Sequence, residues 1–585
     1  MALYVPQAAV GMNAPLYHAP LNRATQHPSY LQAIETRLFA EIAARDLADL
    51  PIPVRKVSLF PPNFGLSSID SSKGMEFIGP VPNGNAGSTI GSIGDINGDG
   101  KTDLYIGSWG NSYVVFGGKN LDGPLLLGQL DGTNGFQITG PFGQATVSIP
   151  IQAAGDVNGD GIGDSIIGSH GSFPGQPTHQ GAVFLLFGQK TWPAVVDVGQ
   201  LDGTNGAIFY GDQPNDAIGV AVSAAKDFNM DGIDDFMVSA TGDGKSSSRG
   251  KVYLIFGHNG TWPSPSALIT LNGKNGVIFR GEGPYDDFGR SIAPAHNVDG
   301  TDRPVIIVGA PGANATDAAT SLGRTYLFYG HPGPFPAVVE AATGTIFVGA
   351  AEDRNSGNQV AALGDVNGDG LEDFIIGAPE SSYGNNSAIG KAYVVFGSNE
   401  TRPSTVSLAD VVATQIVANI SWSDLATAVA GVGDLDSDGF PEVAVGAPLG
   451  FSETGIGQIM FIYGHNGTWK KVITPESLDG SNGFIVDGMA PFDATGGSVA
   501  SAGDFNGDGL PDAAIGVPGA AYVNGGAGFV LYGRARSGQR QVPVALILSL
   551  LGAAAIAGAA VGAALCIRRY KNRPKQGEEI ALVPK

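Results

Sequence analysis

The nine residues Asp504-Phe505-Asn506-Gly507-Asp508-Gly509-Leu510-Pro511-Asp512 carry side-chain oxygens at positions 1, 3, 5 and 9, with glycine at position 6. That is the donor set of a cage for a hard divalent cation. Calcium suits it best, because calcium takes roughly 6–8 oxygens from carboxylates, carbonyls and water. Alternate positions 1, 3 and 5 let a tight loop aim three side chains inward, and glycine at position 6 permits the sharp turn. The pattern occurs six times. The expected ligands are Asp95, Asn97, Asp99, Lys101 and Asp103; Asp156, Asn158, Asp160, Ile162 and Asp164; Asp227, Asn229, Asp231, Ile233 and Asp235; Asp365, Asn367, Asp369, Leu371 and Asp373; Asp434, Asp436, Asp438, Phe440 and Glu442; and Asp504, Asn506, Asp508, Leu510 and Asp512. Position 7 varies in side chain, as expected if only its backbone carbonyl is used, whereas position 9 is acidic each time. About six calcium sites are expected.

An EF-hand shares the first half of this pattern but requires a bidentate Glu at position 12 between two helices. Position 12 here is Ile106, Ile167, Val238, Ile376, Val445 or Ile515, β-branched and apolar throughout. Its surroundings, such as Phe374-Ile375-Ile376-Gly377, read as a short buried strand. The acidic loop therefore feeds a strand. A seventh copy, near His296 to Arg303, is broken: Asn297, Asp299 and Asp302 are wrongly spaced and Pro304 intrudes, so no metal is expected there. Successive copies start about 70 residues apart. A period of that length marks one supersecondary unit in an array or propeller.

The loops also explain the charge. Acidic residues outnumber basic ones 54 to 32, for a formal net charge of −22. Six divalent ions would bring this to about −10. Nucleic-acid binding, which needs a basic stripe, is excluded. Cys566 is the only cysteine, so no intramolecular disulfide holds the fold.

The elements that must position these loops follow from patterning. Residues 1–72 form an N-terminal segment outside the repeat, with one amphipathic helix over Tyr30–Leu50. Leu31, Ile34, Leu38 and Ile42 stripe one face of it; Ser29 with Gln32 caps it, and Pro51 ends it. Met1–Asn22 lacks the basic and apolar regions of a signal peptide. Residues 73–533 are strand and turn. Seven aromatic-rich closing strands, from Tyr113–Gly118 to Gly528–Gly533, imply seven units of about four strands each, a seven-bladed β-propeller. The phrase Leu130-Asp131-Gly132-Thr133-Asn134-Gly135, repeated near Leu201, Leu271 and Leu478, reads as a turn between blades with Asn-Gly setting φ > 0. Sequons stand at Asn259, Asn314, Asn385, Asn399, Asn419 and Asn466. After a linker (534–541), the 26 uncharged residues 542–567 are long enough for one transmembrane helix. Gly558 and Gly562 offer it a small-residue surface for a helix–helix dimer. The tail 568–585 is basic, which places it in the cytoplasm and the propeller outside the cell membrane.

Phe288-Gly289 followed by Gly309-Ala310-Pro311 resembles the FG-GAP repeat of the integrin α-chain β-propeller. Gly377-Ala378-Pro379 and Gly446-Ala447-Pro448 repeat its second half, with Gly516-Val517-Pro518 as a variant. The resemblance implies calcium in the six intact loops on one propeller face. It also implies a membrane-anchored adhesion or recognition protein whose partner is an extracellular protein or glycan ligand. It covers the head only: residues 534–541 leave no room for leg domains, and the tail lacks Gly-Phe-Phe-Lys-Arg. FG-GAP propellers also accompany phospholipase-type catalytic domains, so an accessory of such a hydrolase is one alternative, and a surface scaffold component another. Outside the propeller only His18 and His27 could serve a catalytic centre, and His258 and His465 lie in a repeated Gly-His-Asn-Gly-Thr-Trp phrase. No enzyme activity is expected.

Overall fold

The computed structural model describes residues 60–536, other than 83, 110, 119–122, 142–148, 172–179, 212, 243–248, 314–320, 383–388, 411–412, 419–422, 452–454 and 521–524. The expected helix over Tyr30–Leu50, the span 542–567 with Gly558, Gly562 and Cys566, the basic tail, and the sequons at Asn314, Asn385 and Asn419 lie outside the described residues. Among the described residues no helix is long and apolar enough to cross a membrane.

The described chain forms seven sheets, and they are the seven blades. Each contains four antiparallel strands. In the first blade these are Thr89–Gly94 (innermost), Asp103–Ser108, Asn111–Val115 and Gly135–Thr139 (outer). A short fifth strand from the following unit, here Val195–Asp197, pairs in parallel with the outer one. The innermost strands neighbour one another in sequence order, and Thr89–Gly94 neighbours Val499–Gly503, which closes the ring.

Closure uses the beginning of the chain. The outer strand of the seventh blade is Gly74–Ile78, antiparallel to Ala527–Leu531. Asn63–Gly65, upstream of residue 73, supplies the parallel fifth strand of the sixth blade by pairing with Ile485–Asp487. Phe60 stacks on Phe484 with ring centroids 4.4 Å apart. Gly276–Arg280 is the outer strand of the third blade, and the innermost strand Ser291–His296 separates it from the next acidic loop position.

The second strand of each blade is buried along its whole length because adjacent blades cover both its faces. A strand covered on both faces reads as a continuous apolar run. Position 12 of every intact loop falls on this strand, and all six residues are fully buried. Between the first two blades Tyr105, Val114 and Phe136 pack with Ile151, Ile167 and Phe184. Burial of each such side chain contributes roughly 1.5–3 kcal/mol.

The repeated Leu-Asp-Gly-Thr-Asn-Gly phrase links two blades as expected: it lies between the short parallel strand on one blade, Leu125–Leu126, and the outer strand of the next, Gly135–Thr139. Positive φ falls on its glycines, Gly132 at 92° and Gly135 at 140°. The Gly132 N–H donates to the Gly135 carbonyl at 2.8 Å, while Asp131 accepts from Thr133 N–H. Gly276, the counterpart of Gly135, shows the reason for glycine: a Cβ there would lie 2.3 Å from the Leu254 carbonyl oxygen of the third strand.

Candidate metal loops

Each intact acidic loop joins the innermost strand of a blade to its second strand, so all six open at the same end of their blades. Position 6 is glycine at φ 85–98° in every one: Gly100, Gly161, Gly232, Gly370, Gly439 and Gly509. That conformation suits a residue without a side chain.

Backbone N–H groups wind the chain around the acids. In the first loop Asp95 Oδ1 accepts from Asp99 N–H at 2.9 Å and Asp95 Oδ2 from Gly100 N–H at 2.7 Å. Asp99 Oδ1 accepts from Lys101 N–H at 2.9 Å, and Asn97 Oδ1 from Asp99 N–H at 2.9 Å. The first-position acids Asp156, Asp227, Asp365, Asp434 and Asp504 likewise accept from the position-6 N–H. The fifth-position acids Asp160, Asp231, Asp369, Asp438 and Asp508 accept from the position-7 N–H of Ile162, Ile233, Leu371, Phe440 and Leu510.

Position 9 is built differently. Asp103, Asp164, Asp235, Asp373, Glu442 and Asp512 are all fully buried. In five loops one oxygen accepts from the position-2 N–H and the other from a glycine N–H at the end of the third strand. Asp103, for example, accepts from Ile96 at 3.0 Å and Gly117 at 3.0 Å. This acid fastens the loop to its blade. A carboxylate oxygen retains a second lone pair for a cation.

Burial dominates the protonation of these groups. It lifts Asp103, Asp164, Asp373 and Asp512 to about 7 and Asp235 to about 8, against the pull of the backbone N–H bonds and with the repulsion of neighbouring loop acids. Burial, then the charge of Asp436, pushes Glu442 well above the usual carboxylate range. Clustered carboxylates that resist ionisation together are what a bound cation relieves.

The donor set fits a cation on a further ground. Asn229 Oδ1, Asp436 Oδ1, Glu442 Oε1 and Asp504 Oδ1 are buried oxygens with no hydrogen-bond partner. All are ligand atoms expected from the spacing alone. In the loop starting at Asp434, oxygens of Asp434, Asp436, Asp438 and Glu442 all lie within 4.8 Å of one another. Calcium held there would supply the charge that four converging carboxylates lack.

The broken copy is one residue short. His296 pairs with Pro304 across the first two strands of the fourth blade, where the other register is Gly94 with Asp103. No ninth-position acid exists. Arg303 occupies the loop instead: its Nη2 lies 2.9 Å from Asp299 Oδ2, its Nε donates to Thr301 Oγ1 at 2.7 Å, and its guanidinium lies over the Tyr329 ring. Burial opposes ionisation of Asp299, but bonds from Thr301 and Arg303 outweigh it and hold the carboxyl below its usual range.

Four segments match the FG-GAP repeat model: 218–255, 356–395, 426–460 and 495–532. They cover the first three strands of the third, fifth, sixth and seventh blades, acidic loop included. With seven such blades closed in a ring, the fold is decided. It is an integrin-alpha-like β-propeller that carries FG-GAP repeats. The fourth blade, which carries Phe288-Gly289 and Gly309-Ala310-Pro311 but lacks an intact loop, is outside the matched segments.

Relatives match parts of the FG-GAP propeller chain. Phosphatidylinositol-glycan-specific phospholipase D of Rattus norvegicus is 28% identical over 238 residues, 39% of this chain and 26% of that protein. Integrin alpha-IIb of Homo sapiens is 31% identical over 175 residues, 29% of this chain and 15% of that protein. Integrin alpha-4 of Xenopus laevis is 30% identical over 275 residues, 45% of this chain and 22% of that protein. The matches thus span about a quarter or less of the length of these relatives.

Sequence reasoning missed Arg536. Its Nε donates to Asp436 Oδ2 at 2.8 Å, and its Nη2 lies 2.9 Å from Asp438 Oδ2, so an arginine meets the sixth blade's loop. The two partners are 100 residues apart in the chain, and nothing local to either announces the contact. A usable signal did exist: Asp436 is the one acidic third-position residue, where the other loops have asparagine.

Proposed function

We propose that this chain is a membrane-anchored, calcium-stabilised recognition protein whose integrin-alpha-like propeller presents an extracellular protein or glycan ligand with a rigid surface. The observation that carries the reading is the retention of the acidic loop in six of seven blades, with four carboxylates converging in the sixth and buried donor oxygens left without a hydrogen-bond partner in the third, sixth and seventh. Calcium completes those loops through the thirty residues assigned from the spacing. The similarity to integrin alpha-IIb and alpha-4 supports recognition as the role. Hydropathy over residues 542–567 supports the single-pass anchor, with the basic tail in the cytoplasm and Gly558 and Gly562 available for pairing with a second helix. The exposed sequons Asn259, Asn399 and Asn466 sit in equivalent loops after third strands and suit glycans in that compartment.

The likeness to phosphatidylinositol-glycan-specific phospholipase D favours a second reading, a propeller accessory to a hydrolase. Two histidines that such a reading could enlist have structural work. His258 stacks on Trp262 with centroids 4.3 Å apart, and His465 on Trp469 at 5.1 Å. The test is adhesion of cells displaying the full chain to panels of matrix proteins and glycans, in calcium and in chelator. Binding that disappears in chelator is expected. Metal-independent hydrolysis of a phosphoinositide-glycan by the purified chain, with no calcium-dependent adhesion, would overturn the reading.

A further inference from the structure

The chain leaves the propeller beside the loop that begins at Asp434. Because the outer strand of the seventh blade comes from Gly74–Ile78, the third strand Ala527–Leu531 is the last strand among the described residues. The residues after it run along the neighbouring blade's loop. Arg534 N–H donates to the Leu435 carbonyl at 2.6 Å, and Arg536 N–H to the Asp436 carbonyl at 3.1 Å.

Arg536 then turns its guanidinium into the loop. It bonds Asp436 Oδ2 through both Nε and Nη2, reaches Asp438 Oδ2 at 2.9 Å, and lies over the Tyr463 ring at 5.5 Å from its centroid. Asp436 is fully buried. Positions 3 and 5 of the loop, which a cation needs as ligands, are thus bridged by an arginine. The match is specific in charge, because this is the one loop whose third residue is an acid. It is also incomplete: one guanidinium faces four carboxylates, and Asp436 Oδ1 and Glu442 Oε1 remain buried without partners. The fourth blade offers the comparison within the same molecule, where Arg303 fills a loop that lacks the ninth-position acid.

We propose that Arg536 is a built-in counter-cation for the Asp434–Glu442 loop: it docks between Asp436 and Asp438 in the metal-free chain, and a divalent cation displaces it. This rests on the reading of the loops as calcium sites. Calcium binding in this loop therefore unfastens the segment that leads out of the propeller, and by linkage a docked segment weakens calcium there by the same factor. The other five loops bind without this competition. Among the described residues, the segment ending at Arg536 is then coupled to the loop of one blade.

The test uses the full chain in detergent, with Cys566→Ser removing the only cysteine and Ala535→Cys, at an exposed position, carrying a nitroxide. Calorimetry is run in parallel. The expected spectrum is immobile in chelator and mobile in saturating calcium. With Arg536→Gln added, it should be mobile in both, and calcium should bind the loop on the order of tenfold more tightly. Asp434→Ala, which removes a ligand that Arg536 does not touch, should lower the ion count by one and abolish the calcium response of the label. Calcium uptake that includes this loop, with no change in the label, would overturn the proposal and leave the calcium sites standing. A label mobile in chelator, or weaker calcium binding in Arg536→Gln, would also overturn it. No calcium uptake in any loop would overturn both readings.

Discussion

Removal of calcium should lower the melting temperature of the whole propeller, and the size of the fall can be worked from the loops. A loop with a calcium dissociation constant of about 10⁻⁴ to 10⁻³ M, the range of extracellular modules, gains about 0.4–1.4 kcal/mol at about 1 mM free calcium. Six loops together gain about 2–8 kcal/mol. The described propeller extends over residues 60–536, so its unfolding entropy is on the order of 1 kcal/mol/K. The expected shift is then about 2–8 °C between calcium and chelator, read by scanning calorimetry on the full chain. Asparagine at all six first positions (Asp95, Asp156, Asp227, Asp365, Asp434 and Asp504) keeps one oxygen for the loop N–H bonds and should abolish the shift. A melting temperature within about 1 °C in calcium and chelator would refute the reasoning. So would a full shift in the six-fold variant.

Three further outcomes are expected at particular sites. Lys391 is fully buried, 3.2 Å from the equally buried Asp353 and 3.0 Å from Glu352; Asp353→Ala removes the buried partner of that ammonium and the acceptor of the Tyr393 hydroxyl and should cost about 3–5 kcal/mol in chemical denaturation. Gly276→Ala drives a Cβ to 2.3 Å from the Leu254 carbonyl and should prevent folding, whereas Gly232→Ala, at φ 95° in open space, should cost only about 1–2 kcal/mol by circular dichroism melts. Burial, opposed by Arg290, holds the Asp287 carboxyl above its usual range. Its contribution to stability is therefore greatest at low pH and is lost as pH rises through its folded pKa. Asp287→Asn, which suits the φ of 53° at this position, should flatten that decline, and a melting profile between pH 4 and 8 identical to the parent's would count against it.

The acidic loops and second strands were readable from sequence because each depends on neighbours within a dozen residues. Asp103 and Ile106 declare a buried fastener and a buried strand wherever they occur in register. Ring closure was not readable. The pairing of Gly74 with Leu531 joins residues at opposite ends of the propeller, and neither strand bears a mark that distinguishes it from an ordinary outer or third strand. The Leu-Asp-Gly-Thr-Asn-Gly phrase was readable as a turn between blades, and the glycine of its Asn-Gly pair carries the positive φ. The reason lay outside the phrase: the third-strand carbonyl of Val114 crowds Gly135, and the Trp192 carbonyl crowds Gly132. The role of Arg536 was not readable, since its partner Asp436 lies 100 residues upstream.

The loops also join the blades, which explains why cation binding should be felt by the ring as a whole. At six joints the residue that follows a third strand donates its N–H to the position-2 carbonyl of the preceding blade's loop. The pairs are Gly118 with Phe505, Gln189 with Ile96, His258 with Val157, Ser398 with Val298, His465 with Val366 and Arg534 with Leu435. The position-2 N–H of the same peptide segment is held by the ninth-position acid in each intact loop. One short stretch of backbone therefore bonds its own blade in one direction and the next blade in the other. On the calcium reading, a cation in the loop would act on both connections. The fourth blade makes its joint through Val298, with Arg303 in a loop that lacks the ninth-position acid. Among the described residues a guanidinium meets the acids of two such loops, Arg303 in the fourth blade and Arg536 in the sixth, and of these the Asp434 loop alone keeps the full acid set that the calcium reading requires.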